Sequence, residues 1–258
     1  MFYRALTLLL PLLMAGTLLA EEALSPPTSR PNPHYEPLPF APSLPDKFSW
    51  SSGKTEKKLI ALTFDDGPHP QHTPALLDIL KQYNVKATFF TVGKNVDRYP
   101  EIAARIIAEG HEIGNHSYSH GDLSKMSDSE IRTELDRSKD AIRRATGVEP
   151  KIMRPPYGGL ALFPFQRSWI YTEYQYPTIL WSVDPFDWRD RNSALISQRL
   201  VAGAHTGAIL LAHDIHASTI AAIPDTIFQL QRKGYTFTTV SQMIAQKKNQ
   251  KPNNDSQD

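Results

Sequence analysis

Short apolar runs rich in β-branched and aromatic residues alternate with longer segments of helical period along most of this 258-residue chain, and no other feature constrains its fold as strongly. The pairs run 59–64 then 74–83, 87–92 then 96–109, and 111–115 then 128–146. This rhythm indicates parallel strands joined by crossover helices, because a parallel connection must return across the sheet and an amphipathic helix covers the face it crosses. The second half repeats the pattern over 151–154, 178–183, 193–201, 208–212, 220–233 and 235–240, with a Pro- and aromatic-rich stretch after the first of these and a last short helix at the end. The seven strand candidates predict an α/β fold, a distorted or incomplete (β/α)7-8 barrel of deformed TIM type. Gly110, Gly147 and Gly234 each stand just past a predicted helix, where a left-handed residue closes the last turn.

The flanks read differently. Residues 1–20 hold Arg4, then an apolar stretch interrupted by Pro11 and Gly16, before acidic Glu21 and Glu22. That arrangement predicts a secretory signal peptide, with a membrane anchor as the alternative. Residues 21–57 carry Pro26, Pro27, Pro31, Pro33, Pro37, Pro39, Pro42 and Pro45 without apolar periodicity and read as an extended Pro-rich linker. Tyr35, Phe40, Phe48 and Trp50 keep open a second reading, a segment packed on the domain surface. Residues 246–258 have no apolar side chain and read as a disordered polar tail, which leaves 58–245 as the folded catalytic domain. The expected location is periplasmic or extracellular, with membrane contact only through an uncleaved N-terminal segment, and the expected state is a monomer.

The chain contains no cysteine. Disulfides, thiolate-ligated zinc, iron–sulfur centres and a thiol nucleophile are therefore excluded, and any site chemistry must use His, carboxylates or hydroxyls. A net charge of +1 carries no basic footprint for nucleic acid.

The chemistry-bearing residues all follow strand candidates. They are Asp65 and Asp66, His116 and His120, Arg154 and Tyr157, Asp184 and Asp187 with Trp188, and His213 with Asp214. In a parallel barrel the strand C-terminal ends share one face, where sites form. His116 and His120, four apart, converge if they lie on one helical turn, and one of the paired aspartates adds an oxygen ligand. Two His and one carboxylate leave positions open on a catalytic divalent ion. Adjacent carboxylates repel, so cations must divide the pair: one aspartate goes to the metal and the other to Arg154. The segment His111-Glu112-Ile113-Gly114-Asn115 lacks the second His of a metalloprotease helix and reads as the start of a strand. His69 and His72 read as rim residues and His216 as a loop residue, while Trp181 and Phe186 join the aromatics around the mouth.

At these positions the sequence resembles the polysaccharide deacetylases of carbohydrate esterase family 4, the NodB homology domain, over roughly 59–240. Five family motifs are recognisable: Thr63-Phe64-Asp65-Asp66-Gly67-Pro68, His116-Ser117-Tyr118-Ser119-His120, Arg154-Pro155-Pro156-Tyr157, Asp184-Pro185-Phe186-Asp187-Trp188 and Leu210-Leu211-Ala212-His213-Asp214. The resemblance implies Asp65 as catalytic base, His213 as general acid, and Asp66, His116 and His120 as metal ligands. It further implies that Arg154 orients the base and Asp187 supports His213. The Tyr157 backbone N–H would serve the oxyanion, Trp188 would wall the acetyl pocket and Leu211 would meet the acetyl methyl. The implied cofactor is one divalent ion, zinc first, with cobalt, nickel or manganese as alternatives.

The implied activity is hydrolytic N-deacetylation of an acetylated glycan, of peptidoglycan or chitin type. Competing readings are an O-acetyl esterase of acetylxylan type, a cyclic-amide hydrolase on the same barrel and a non-catalytic carbohydrate-binding envelope protein. The last predicts loss of Asp65 or His213, and both are present.

Overall fold

The computed structural model describes residues 48–246. The expected export segment over 1–20, the linker up to residue 47 and the tail beyond residue 246 lie outside the described residues. In chain order the elements are β1 (Ser49–Trp50), β2 (Leu59–Asp65), α1 (His72–Gln82), β3 (Thr88–Thr91), α2 (Gly93–Arg98), α3 (Pro100–Ala108), β4 (Glu112–Asn115), α4 (Asp128–Thr146), α5 (Pro164–Tyr174), β5 (Thr178–Ile179), α6 (Ser193–Gly203), β6 (Ile209–Leu210), α7 (Ala217–Arg232), β7 (Thr236–Phe237) and α8 (Val240–Gln246).

The strands pair in parallel, and β2 is the hub: it pairs with β6 along one edge and with β3 and, at its start, β7 along the other. The order β4-β3-β2-β6 continues through isolated bridges. Asn115 reaches Met153, Met153 reaches Thr178 of β5, and Val183 reaches Leu210 of β6, so the ring closes through single residues rather than full strands. This is a deformed (β/α) barrel. The strand expected over 151–154 shrinks to the one bridging residue Met153.

All seven residues of β2 are buried, as a strand covered on both faces requires. Its two-residue period sorts them. Ile60, Leu62 and Phe64 pack outward with Leu76, Leu77, Leu80, Ile223 and Ile227 of the surrounding helices, whereas Ala61 packs with Phe90, Ile152, Ile179 and Ile209 and with Val240 and Met243 of α8 in a separate cluster. Thr63 and Asp65 share the face of Ala61, so the first aspartate emerges on the inner side of the ring. The same alternation along β6 puts Leu211 and His213 on the face of Ile209, with Leu210 and Ala212 turned to the helices.

Helix limits follow local chemistry. α4 begins with a capping box between Ser127 and Glu130 and ends on Gly147 at φ 72°. The single helix expected over 96–109 is two, because Pro100 starts a new one at its N-terminus. α5 falls in the stretch read only as Pro- and aromatic-rich, with Pro164 in its first turn. The linker boundary also moves. Ser49 and Trp50 pair with Thr178 and Ile179, so the folded body takes in residues assigned to the linker. No helix among the described residues is long and apolar enough to cross a membrane.

Candidate active site

Asp65 ends β2 with its side chain almost fully buried, and Arg154 Nη1 donates to its Oδ1 at 2.7 Å. The guanidinium is fixed on its other edges: Nη1 also donates to Thr63 Oγ1 at 2.9 Å, Nε to the Ile179 carbonyl at 3.2 Å and Nη2 to the Leu180 carbonyl at 3.1 Å. A buried charge held by several acceptors and one carboxylate is a fixed orienting group. The other Asp65 oxygen faces His116 Nε2 at 3.8 Å.

Asp66 turns away through a positive φ of 78°. Its carbonyl accepts from Asn95 Nδ2 at 2.8 Å, and its Oδ1 lies 2.9 Å from His120 Nε2 and 3.4 Å from His116 Nε2. The two adjacent carboxylates are therefore separated onto different partners, Arg154 for Asp65 and the two imidazoles for Asp66. Burial pushes the Asp66 carboxyl up, yet the two imidazoles outweigh it and hold the group well below the usual carboxylate range.

Residues 116–120 are not a helical turn. Ser117 and His120 have φ of 61° and 63°, and side chains brace the loop: Asn115 Oδ1 accepts from the Ser117 N–H, Glu134 Oε2 from the Tyr118 and Ser119 N–H groups, and Ser117 Oγ from the His120 N–H. The two imidazoles thus converge through left-handed residues rather than through helical spacing. His116 Nδ1 lies 2.7 Å from the Arg154 carbonyl, which fixes its proton on Nδ1 and leaves the Nε2 lone pair toward Asp66.

Among the described residues one group has metal-ligating geometry, Asp66, His116 and His120, with ligand atoms within 4.8 Å of one another. Asp66 Oδ1 is buried and meets no hydrogen-bond donor of acceptable geometry, although two imidazole nitrogens face it. Three electron-pair donors converging without a proton between them suit a divalent cation.

On the strand next to β2, His213 pairs with Asp65, and the Asp187 that holds it is fully buried with its oxygens filled. Oδ1 lies 2.8 Å from His213 Nδ1, and Oδ2 accepts from the His213 N–H at 2.8 Å and Thr219 Oγ1 at 2.7 Å. Burial works against the imidazolium, but Asp187, with Asp66 and Asp65 beyond it, lifts His213 to about 10. Asp187 itself stays below its ordinary value, since His213 and Thr219 overcome the burial that would raise it.

Tyr157 sits at φ 60° with its ring edge-on to His120, centroids 4.8 Å apart, and is the most exposed of the predicted site residues at 45%. Leu211 is buried beside His213, and half-buried Trp188 stands edge-on to Phe186 at 6.0 Å. Trp181 lies behind the site, stacked against Arg154 at 5.7 Å. Glu112 opens β4 and accepts from Thr88 Oγ1, as a strand residue rather than a ligand. His69 and His72 stack at 4.2 Å, and His69 Nδ1 accepts from the Gln71 and His72 N–H groups; neither belongs to the ligand group.

Two supporting residues, Asn95 and Glu134, lie outside every motif, and Asp214, the last residue of the fifth motif, has a role the motif did not give it. Asp214 is buried, accepts from Thr73 Oγ1 at 2.5 Å, and is pushed up to about 7 chiefly by burial, which the Thr73 bond only partly offsets. It packs so closely on the Asp66–Pro68 turn that a Cβ on Gly67 would fall 2.2 Å from its Oδ2.

The polysaccharide deacetylase family model matches residues 52–166. A peptidoglycan-N-acetylglucosamine deacetylase of Bacillus cereus is 38% identical over 211 residues, covering 80% of this chain and 76% of that protein. The chain belongs to the polysaccharide deacetylase family. Peptidoglycan-N-acetylglucosamine deacetylase PgdA of Listeria monocytogenes is 42% identical over 194 residues, which is 75% of this chain, and the chain spans 40% of that relative's length. Among solved structures, a peptidoglycan N-acetylglucosamine deacetylase in complex with 4-naphthalen-1-yl-N-oxidanyl-benzamide superposes with a TM-score of 0.72 at 39% identity, covering 76% of this chain and 92% of that one. In this family member the carboxylate pair meets Arg154 and the His pair, and the His213–Asp187 pair lies on the strand next to Asp65.

Proposed function

We propose that the chain is an exported, metal-dependent hydrolase that removes N-acetyl groups from peptidoglycan-type amino-sugar polymers. The observation that carries the reading is two differently held groups side by side on neighbouring strands, next to the ligand group: Asp65, held by Arg154, and His213, held by Asp187. A base and an acid flanking a ligand group is the arrangement amide hydrolysis needs.

Asp66 Oδ1, His116 Nε2 and His120 Nε2 would hold a divalent cation, zinc best suiting two imidazoles and one carboxylate, and when bound it would supply Lewis acidity for the attacking water and the acetamide carbonyl. Asp65 accepts the water's proton on the oxygen not held by Arg154. Arg154 keeps that carboxylate in place without taking its proton, since its own charge persists. His213 protonates the departing amine from Nε2, because Nδ1 is committed to Asp187. The Tyr157 backbone N–H, presented by its left-handed turn, donates to the developing oxyanion. Leu211 and Trp188 line the acetyl pocket.

Sequence similarity to wall-acting relatives and the predicted signal peptide over 1–20 support action outside the cytoplasm. The test is acetate release from peptidoglycan, chitooligosaccharides and acetylxylan in parallel, before and after chelation and with metal returned. Release from the first two that stops with chelator and resumes with zinc is expected. Release indifferent to chelator overturns the mechanism, and release from acetylxylan alone overturns the substrate class.

A further inference from the structure

The proposed chemistry uses Asp187, Trp188 and His213 and leaves the basic residues around the loop after β5 without a task. Arg189, Arg191 and Arg199 surround it among three carboxylates, of which Asp184 accepts from the Phe186 N–H at 2.7 Å. Asp190 accepts from Arg189 at 3.0 Å and from Arg199 at 2.6 Å. Asp187 has both oxygens occupied by His213 and Thr219. Arg191 consequently has no carboxylate partner among the described residues. Its Nη1 donates to the Asp187 main-chain carbonyl and the side chain is solvent-exposed.

That anchor puts a guanidinium directly beside the acid half of the site. Its charge reaches His216, whose imidazole is held neutral, first by burial and then by Arg191, and the His216 ring lies 6.1 Å from that of His213. A guanidinium keeps its charge, offers several N–H donors in one plane and matches a carboxylate in two-point geometry. An exposed one tethered by a single carbonyl, with a neutral imidazole near it, is a prepared anion contact.

Resting on the deacetylase reading, we propose that Arg191, with His216 beside it, binds a carboxylate of the substrate carried close to the acetamido group under attack. His213 delivers its proton to the sugar nitrogen, and a charged substituent on the adjacent ring carbon long enough to pass His213 is what Arg191 would meet. In wall glycan one of the two sugars carries an ether-linked carboxylic acid on that carbon; the stem peptides supply carboxylates at a greater distance. Chitin-type polymers supply neither. Arg191 is then a specificity residue, favouring acidic wall glycan over a neutral polymer of the same backbone.

The experiment compares three oligosaccharides of equal length: a neutral chitooligomer, a peptide-free wall oligomer with its ring carboxylates free, and a wall oligomer bearing stem peptides. KM and calorimetric Kd are measured for the zinc-loaded wild type, Arg191→Gln and Arg191→Lys, at low and high salt. The wild type is expected to bind the peptide-free wall oligomer about tenfold more tightly than the chitooligomer, the scale of one charge-assisted contact, with the preference shrinking at high salt. Arg191→Gln loses that preference, Arg191→Lys recovers part of it, and KM moves far more than kcat. Dependence on Arg191 seen only with the stem-peptide oligomer places the carboxylate on the peptide. The same preference in wild type and Arg191→Gln overturns the proposal, and so does a wild-type preference indifferent to salt should Arg191→Gln fail to fold. Calorimetry needs no turnover, so Arg191-dependent binding without acetate release sinks the deacetylase reading while this one stands.

Discussion

Asp187→Asn separates the electrostatic part of the site from its shape. In the wild type His213 titrates at about 10, although burial alone would press it below the ordinary imidazole value. A pair of unit charges about 4 Å apart is worth about 4 kcal/mol at an effective dielectric of about 20, which corresponds to about three pH units. The amide keeps an oxygen for His213 Nδ1 and removes the charge, so the imidazolium should fall from about 10 toward about 7. The fraction of His213 able to donate at pH 9 then drops from about nine-tenths to about one-hundredth, and kcat falls roughly 100-fold there. At pH 6 both forms are mostly protonated, and only the lost acceptor for the His213 N–H and Thr219 remains to slow the reaction. The assay is acetate release from chitooligosaccharides between pH 5 and 11, joined to NMR titration of the His213 ring in metal-free protein. An alkaline limb and a ring titration in the variant that coincide with the wild type would refute the reasoning.

Asp65→Asn should lower acetate release by about 10²–10⁴-fold while bound metal, read by elemental analysis, stays at wild-type level; full activity would remove Asp65 as the base. His116→Ala should lose metal and activity together, and activity that survives with metal still bound would reassign the ligand group. Gly67→Ala should destabilise the fold by about 1–3 kcal/mol, since the new Cβ collides with the Asp214 carboxylate, and an unchanged Tm would show that the turn yields. The His213–Asp187 pair also links stability to pH. The raised His213 contributes fully below about pH 6.5 and is lost as pH climbs through about 10, whereas the depressed Asp187 contributes above about pH 4 and is lost as pH falls through its lowered value. The Tm difference between metal-free wild type and Asp187→Asn should therefore be widest between about pH 4 and 6.5, and a difference constant across pH would contradict the coupling.

What could be read from residues alone was what local rules dictate. The six-residue run 59–64 followed by two aspartates makes β2, and strand alternation then aims Asp65 inward. Ser127, Glu130 and Gly147 delimit α4 by capping chemistry, and both ends match. What escaped depends on contacts between distant segments. The convergence of His116 and His120 is produced by left-handed residues braced from Asn115 and Glu134, which no spacing rule contains. α5 is built from aromatic residues of modest helix propensity and is stabilised by packing such as that of Ile170 in the cluster around Leu135 and Met153. Asp214 gains its place only because Gly67 and Thr73 meet it across the fold.

The pairing of β1 with β5 extends the reach of the site beyond its own end of the ring. Phe48 and Trp50 carbonyls accept from the Thr178 and Leu180 N–H groups at 2.8 Å, and the carbonyls of Ile179 and Leu180 in turn hold Arg154, which holds Asp65. A protein begun at Lys58, the boundary that composition alone favours, would retain all five motifs and lack the first link of that chain. It would bind its ion and still turn over poorly, because the base would have lost its alignment at a remove of three hydrogen bonds. The residues that read as spacer are, in mechanical terms, the far end of the lever that sets the carboxylate.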